Sequence, residues 1–160
     1  MIFVVLGTQK FQLNRLLKEL DRYVKEENIT EEIFAQIGNS DYLPQNFSYE
    51  KFLNKEEFDS KIRQADLIIA HSGVGTIITS LQAKRPVLVY PRLAKYHEHV
   101  DDHQLQIAEA FEKKDYVMCC REDDSLKEKI TVCRNHAFSH YESQTKHIID
   151  LINQFIDGMV

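Results

Sequence analysis

Short apolar runs alternate along this chain with longer segments in which apolar residues recur every three or four positions. The short runs predict buried strands, and the longer segments predict amphipathic helices. Strands are predicted at 2–6, 33–37, 67–70, 87–90 and 116–119, with one more short strand around 49–53. Helices are predicted at 13–27, 56–64, 76–84 and 101–113, and two further helices close the chain.

This alternation predicts the fold class. Strands that are apolar on both faces, each followed by a helix, are typical of a parallel sheet with helices on both faces. Because no repeat or low-complexity linker interrupts the pattern, we expect one Rossmann-like α/β domain over residues 1–160. In such sheets ligands bind at the carboxyl ends of the strands, so functional residues are expected in the loops that follow them.

The loop after the strand at 67–70 has the composition of an anion site. It contains the sequence His71-Ser-Gly-Val-Gly-Thr76. Its glycines let backbone N–H groups approach a ligand without a side chain in the way. Those groups and the positive end of the following helix dipole suit a phosphate or diphosphate. A single turn of this kind is a weak signal, because many α/β domains carry one for packing alone.

Three other loops are predicted to lie at the same edge of the sheet. Gly7-Thr8 follows the first strand, Gly38-Asn39 the second, and Pro91-Arg92 the strand after the glycine turn. Carboxyl ends of parallel strands meet at one edge, so these loops should converge on one site, where Arg92 could neutralise phosphate. Their convergence is a stronger indication than any one loop.

Composition excludes several classes of function. A formal charge of -5 and a pI near 5.8 argue against nucleic acid as the main partner. No run approaches the roughly 20 apolar residues of a membrane span, and residues 1–7 are too short and lack the basic start of a signal peptide. We therefore expect a cytoplasmic protein. The three cysteines have neither metal-site spacing nor an even number for disulfides, which predicts reduced thiols.

Three motifs in order resemble a known family. His71-Ser-Gly-Val-Gly-Thr76, Lys84-Arg-Pro-Val-Leu-Val-Tyr-Pro91 and Asp102-His-Gln-Leu-Gln-Ile-Ala108 look like the C-terminal, donor-binding domain of family 28 glycosyltransferases. The resemblance implies one half of a GT-B fold, inverting transfer from a UDP-sugar, and no metal or other cofactor. Within the family the chain is similar to soluble subunits of two-part transferases, both the eukaryotic dolichol-linked N-acetylglucosaminyltransferase and bacterial capsule and exopolysaccharide enzymes.

The resemblance also implies roles for individual residues. Those assigned to the donor diphosphate or nucleotide are Gly7, Thr8, His71, Ser72, Gly73, Gly75, Thr76 and Arg92. Those assigned to the donor sugar are Asp102, His103 and Gln104, because an amide can both donate to and accept from sugar hydroxyls. Packing offers an alternative for each group: His71 could fill a turn at the sheet edge, and Asp101 or Asp102 could cap the helix. The charged connection at 92–100, in which Lys95 could also contact phosphate, is either a flexible lid or a solvated loop.

Two positions depart from the family pattern. Thr79 stands where many relatives have a glutamate that binds the ribose hydroxyls, and Gln9-Lys10 stand where related bacterial chains have His-Glu. Neither Gln9 nor a solvated Lys10 suits a general base near neutral pH. We therefore expect the base in a partner, with His71 as the candidate in this chain.

The length of the chain corresponds to one GT-B half, so the resemblance implies a partner. That partner would be membrane-anchored, would carry the acceptor half and would hold a lipid-linked saccharide. The transferred hexose would be galactose or N-acetylglucosamine, used for surface polysaccharide at the inner face of the cell membrane. A last helix is predicted from residue 146 onward and is apolar on more than one face, so it could pack on its own sheet and also present a stripe to the partner. A homo-oligomer is a further option.

Three other functions are compatible with an α/β nucleotide-binding domain. The chain could be a non-catalytic nucleotide-binding module, or a relative of nucleotide-sugar epimerases, although these carry both GT-B halves in one chain. A dinucleotide oxidoreductase is the least favoured, because no Gly-x-Gly-x-x-Gly turn follows the first strand.

Overall fold

The computed structural model describes residues 1–142, which contain six strands and five α-helices. The strands are β1 (Ile2–Val5), β2 (Ile33–Gln36), β3 (Ser48–Glu50), β4 (Leu67–Ala70), β5 (Val87–Val89) and β6 (Met118–Cys119). The helices are α1 (Asn14–Glu26), α2 (Lys55–Gln64), α3 (Val74–Gln82), α4 (His103–Lys113) and α5 (Leu126–Asn135). A short 3-10 helix, Ala94–Tyr96, lies in the loop between β5 and α4.

The strands form one parallel sheet with the order β3-β2-β1-β4-β5-β6. Val5 at the end of β1 lies opposite Gln36 of β2 and Ala70 of β4. This is the strand order of a Rossmann-like sheet, and the order reverses direction between β1 and β4. The predicted fold class is confirmed, and the reversal marks where a ligand crevice is expected.

Alternate residues of the central strands supply two separate cores. Ile2 and Val4 of β1 face a core shared with α1 and α5, whereas Phe3 and Val5 face the core shared with α2, α3 and α4. All four side chains are at most 1% exposed. Because both faces are covered, the strands read as continuous apolar runs rather than as alternating ones.

Side-chain hydrogen bonds surround the start of α4, which differs from its predicted position. Helix α4 begins at His103 rather than 101, because Asp102 Oδ1 accepts from the N–H of Ala94 in the preceding loop, at 2.9 Å. Asp101 Oδ1 accepts instead from the N–H of His103, at 3.1 Å. Apolar periodicity locates a helix, but such local bonds decide where it begins.

The irregular segment 42–54 is held by a buried carboxylate of α1. Asp21, 4% exposed, accepts from the N–H groups of Gln45 and Asn46 and from the Tyr42 hydroxyl, at 2.6–2.9 Å. Within this segment, β3 lies at Ser48–Glu50 rather than at the predicted 49–53.

The end of the chain is described only in part. Helix α5 is the first of the two predicted closing helices. The second, with its apolar residues Ile148, Ile149, Leu151, Ile152, Phe155 and Ile156, lies outside the described residues. Within 1–142, no helix has the length and apolar character to cross a membrane.

Candidate functional site

The β4–α3 turn lies beside the loop that follows β1. The His71 N–H donates to the Val5 carbonyl at 2.9 Å, which extends the pairing of the two strands to their carboxyl ends. Gly73 precedes the first residue of α3, and its carbonyl accepts from the N–H of Ile77 at 3.0 Å. The predicted glycine turn and the Gly7-Thr8 loop are therefore neighbours at the reversal of strand order.

Two glycines enclose the His71 ring. A Cβ on Gly73 would lie 2.3 Å from His71 Cε1, and one on Gly7 would lie 2.6 Å from His71 Nε2. Gly7 also has a φ of +77°, a conformation that favours glycine. A Cβ on Gly75, by contrast, would meet no atom within 4 Å. Gly7 and Gly73 are thus needed for packing, and Gly75 alone leaves open space at the helix start.

The N-terminus of α3 has no side-chain cap. Asn54 forms a capping box with Glu57 at the start of α2, and Ser125 accepts from the N–H of Glu128 at the start of α5. Gly73 at the start of α3 makes no such bond, and neither do the N-cap residues of α1 and α4. The Ser72 hydroxyl, fully buried in the same turn, has no hydrogen-bond partner within residues 1–142. Free N–H groups at the positive end of a helix are the donors that an anion requires.

His71 is buried within a chain of polar contacts. Its Nδ1 lies 2.9 Å from Arg92 Nη1 and 3.4 Å from Gln104 Nε2, and its Nε2 lies 3.2 Å from Thr76 Oγ1. Burial, and then the positive charge of Arg92 and His99, lower the pKa of His71 to about 3. The ring is therefore neutral at neutral pH, and in this arrangement it does not suit the role of general base.

The lowered pKa of His71 predicts a pH-dependent stability. In the unfolded chain histidine takes up a proton near its ordinary pKa of about 6.5, whereas in the folded chain His71 does not until about pH 3. Its contribution to stability is complete above about pH 6.5 and is lost as the pH falls, by up to ~1.4 kcal/mol per unit. Urea unfolding at pH 7, 6 and 5 gives the unfolding free energy as a function of pH. This free energy should fall less steeply with falling pH in His71→Asn than in the exposed control His140→Gln. Equal dependence on pH in the two variants would contradict the lowered pKa of His71.

The Arg92 side chain is buried against the loop after β1. The side chain is 1% exposed; Nη2 donates to the carbonyls of Leu6 and Phe11, at 2.6 and 3.1 Å, and Nε to that of Gln12 at 3.3 Å. Burial lowers the pKa of Arg92 to about 10, which still leaves it protonated. The predicted contact of Arg92 with phosphate is not favoured here, because the guanidinium is already occupied in fixing the loop after β1.

Gln104 joins the two loops that meet at α4. Its Oε1 accepts from the N–H groups of Ser72 and Arg92, at 3.2 and 3.0 Å, and the residue is 5% exposed. Of the three residues predicted to read the donor sugar, only Asp102 is exposed, and His103 is half-buried. Direct contact of Gln104 with a sugar stays a prediction that its internal hydrogen bonds do not favour.

The connection between β5 and α4 is anchored by ion pairs, while several of its side chains, among them Lys95, His97 and Val100, are exposed. Its role as a lid or as a solvated loop stays a prediction. Glu98, 1% exposed, pairs with Arg15 through two hydrogen bonds of 2.9 and 3.0 Å and also accepts from the N–H of Leu93. Lys95, the other candidate for phosphate in this connection, pairs with Glu122. These bonds fix the loop to α1 and to the loop after β6.

Asn39 is a further residue that the sequence did not single out for a role. It follows β2, and its Nδ2 donates to the carbonyls of Gln9 and Thr8, at 2.8 and 3.4 Å. The Thr8 side chain itself is exposed at the sheet edge. The position of Asn39 directly after a predicted strand is the feature of the sequence that could have pointed to it. Its bonds join the loop after β2 to the loop after β1.

Comparisons with known proteins agree with this geometry. Residues 1–157 match the glycosyltransferase family 28 C-terminal domain. The chain belongs to this family. It is 38% identical over 120 residues to the UDP-N-acetylglucosamine transferase subunit ALG13 of Candida albicans, and 28% identical over 126 residues to the protein of that name in Homo sapiens. The alignments cover 75% and 74% of this chain but only 35% and 11% of those relatives.

Solved structures share the fold at low identity. The glycosyltransferase SnogD from Streptomyces nogalater superposes with a TM-score of 0.60 at 17% identity, over 96% of this chain and 39% of that one. MurG of Acinetobacter baumannii gives a TM-score of 0.56 at 20% identity, over 94% and 49%. The family member described here thus corresponds to about half, or less, of each of these longer chains, as expected for one half of a GT-B fold.

Proposed function

We propose that this chain is the UDP-sugar-binding half of an inverting glycosyltransferase, with UDP-N-acetylglucosamine as its donor. The observation that carries the proposal is the uncapped N-terminus of α3, where a Cβ on Gly75 would meet open space. This anion site lies at the reversal of strand order in a family 28 C-terminal domain. A diphosphate placed there would accept from the free N–H groups of Val74, Gly75 and Thr76.

The same contacts would assist the reaction. When the bond between sugar and diphosphate breaks, negative charge develops on the leaving UDP. The helix dipole and N–H groups fixed at the start of α3 would stabilise that charge without reorganisation. Because His71 is neutral, we expect the base for the acceptor hydroxyl to come from the partner.

The similar proteins favour one sugar and imply a partner. Those relatives are named as subunits of UDP-N-acetylglucosamine transferases, which favours N-acetylglucosamine over galactose and implies a second subunit. We infer that this partner supplies the acceptor half, is anchored in the membrane and holds a lipid-linked saccharide. The chain would then act at the inner membrane face, and synthesis of surface polysaccharide is the context we propose.

Calorimetric titration of the full chain tests the proposal. UDP and UDP-N-acetylglucosamine should bind saturably, UDP-galactose more weakly, and NAD not at all. Gly75→Ala should weaken UDP binding by about tenfold, because helical Cβ atoms tilt toward the N-terminus and the new methyl group would meet the diphosphate. Preference for NAD, or no uridine ligand bound even at millimolar concentration, would contradict the proposed function.

A further inference from the structure

The contacts around His71 decide which ring nitrogen carries the proton. Arg92 can only donate, and its Nη1 lies 2.9 Å from His71 Nδ1. Gln104 Oε1 accepts from two backbone N–H groups, so its amide nitrogen is the atom that faces Nδ1, at 3.4 Å. Two donors therefore converge on Nδ1, which must present a lone pair. The neutral ring then carries its hydrogen on Nε2.

The hydrogen on Nε2 determines how Thr76 faces the turn. Thr76 Oγ1 lies 3.2 Å from His71 Nε2 and accepts its hydrogen. A hydroxyl group that accepts one hydrogen bond keeps its own hydrogen for another partner. In the opposite form of the ring, Nε2 would accept from Thr76, and the hydroxyl would present only lone pairs to an anion. The Nε2–H form of the ring thus lets the Thr76 hydroxyl donate to an anion, whereas in the opposite form the hydroxyl would repel it.

We propose that Arg92 and Gln104 are positioning residues that hold His71 in its Nε2–H form, so that Thr76 donates its hydroxyl hydrogen to the bound diphosphate. This inference rests on the proposed function for its ligand, but the proton assignment stands without it. It gives Arg92 a role that its burial permits, since the guanidinium acts through the histidine ring and touches no ligand. It also explains why a buried cation and a buried amide share one ring nitrogen.

The first test measures the ring directly in the unaltered, full-length protein. In ¹⁵N NMR spectra a ring nitrogen without a proton resonates far downfield of one that carries a proton. At neutral pH, His71 should show a proton-free Nδ1 and a protonated Nε2, with no second form. A protonated Nδ1, an averaged pair of signals, or a doubly protonated ring would overturn the proposal. No substitution is needed, so this result does not depend on the folding of a variant.

Thr76 variants test the second half of the proposal. Thr76→Val should weaken UDP binding about tenfold, because it removes one hydrogen bond to a charged ligand. Thr76→Ser keeps the hydroxyl and should restore most of the affinity, whereas Thr131→Val on α5 controls for the same substitution far from the site. If Thr76→Val carries no penalty, or if Thr76→Ser binds as poorly as Thr76→Val, the proposal fails while the proposed function stands. If the unaltered protein binds no UDP, the proposed function fails, and the NMR result still decides the proton assignment.

Arg92→Met provides the third test. Where this variant folds, as judged by circular dichroism, His71 should show a mixture of its two neutral forms. A pure Nε2–H form in the folded variant would show that Arg92 does not position the ring. Should the variant fail to fold, the spectrum of the unaltered protein and the Thr76 pair decide whether the proposal holds.

Discussion

Gly73→Ala is expected to lower the free energy of unfolding by about 1–3 kcal/mol, the range typical of an overpacked site. The new Cβ would lie 2.3 Å from His71 Cε1, much closer than non-bonded carbons approach. The ring cannot retreat easily, because Arg92 and Gln104 hold its Nδ1. On the side of Nε2 the space is also narrow, since a Cβ built on Gly7 would lie 2.6 Å from that atom. The clash must therefore move the turn itself.

Gly75→Ala is the matched control for that substitution. It adds the same methyl group two residues later, where no atom lies within 4 Å of the new Cβ. In a helix alanine is more favourable than glycine by up to about 1 kcal/mol, so stability should hold or rise. Urea unfolding of both variants checks the prediction. If both variants lose the same unfolding free energy, or if Gly73→Ala is as stable as the unaltered protein, then Gly73 is not the glycine that packing requires.

Glu98→Ala is expected to cost about 3 kcal/mol of unfolding free energy. The carboxylate is 1% exposed and accepts from both Arg15 and the N–H of Leu93. Its removal leaves a half-buried guanidinium without its counter-charge and a buried N–H without an acceptor. The Arg15 side chain is 23% exposed, and water contact reduces the penalty below that of a fully buried pair.

A double-mutant cycle isolates this interaction. Arg15→Met and Glu98→Ala should each destabilise the chain, and the double variant should lose about 1–3 kcal/mol less than the two losses added together. The exposed pair of Lys127 and Glu27 serves as a control, and Lys127→Ala should change stability by less than about 1 kcal/mol. Additive losses for Arg15 and Glu98 would mean that the loop is not held through this pair.

The fold could be predicted because its signals are local. Both faces of the central strands are covered, so each strand appears in the sequence as an apolar run, and β4 at Leu67–Ala70 has the predicted bounds. The glycines of the β4–α3 turn and its place after a strand predict an anion site, and the structure places this turn at the reversal of strand order. Elements set by polar contacts were predicted less well, as the start of α4 shows.

The roles of buried polar residues could not be predicted from the sequence. Arg15 and Glu98 are 83 positions apart, and nothing in either local pattern indicates that they meet. Arg92 follows a strand end, as a phosphate ligand would, yet it bonds to carbonyls of the loop after β1, 80–86 positions away. Whether a charged side chain faces solvent, a ligand or a distant loop depends on tertiary packing, which residue spacing does not encode.

A titration with UDP recorded at individual amides shows whether the start of α3 holds the diphosphate of a uridine nucleotide. We expect saturable changes in ¹H–¹⁵N shifts at Val74, Gly75 and Thr76, where no side chain caps the helix. The start of α2, already capped by Asn54, should not respond. Saturable shifts centred on any other part of the sheet edge, with the α3 amides unmoved, would show that the diphosphate does not bind at the start of α3.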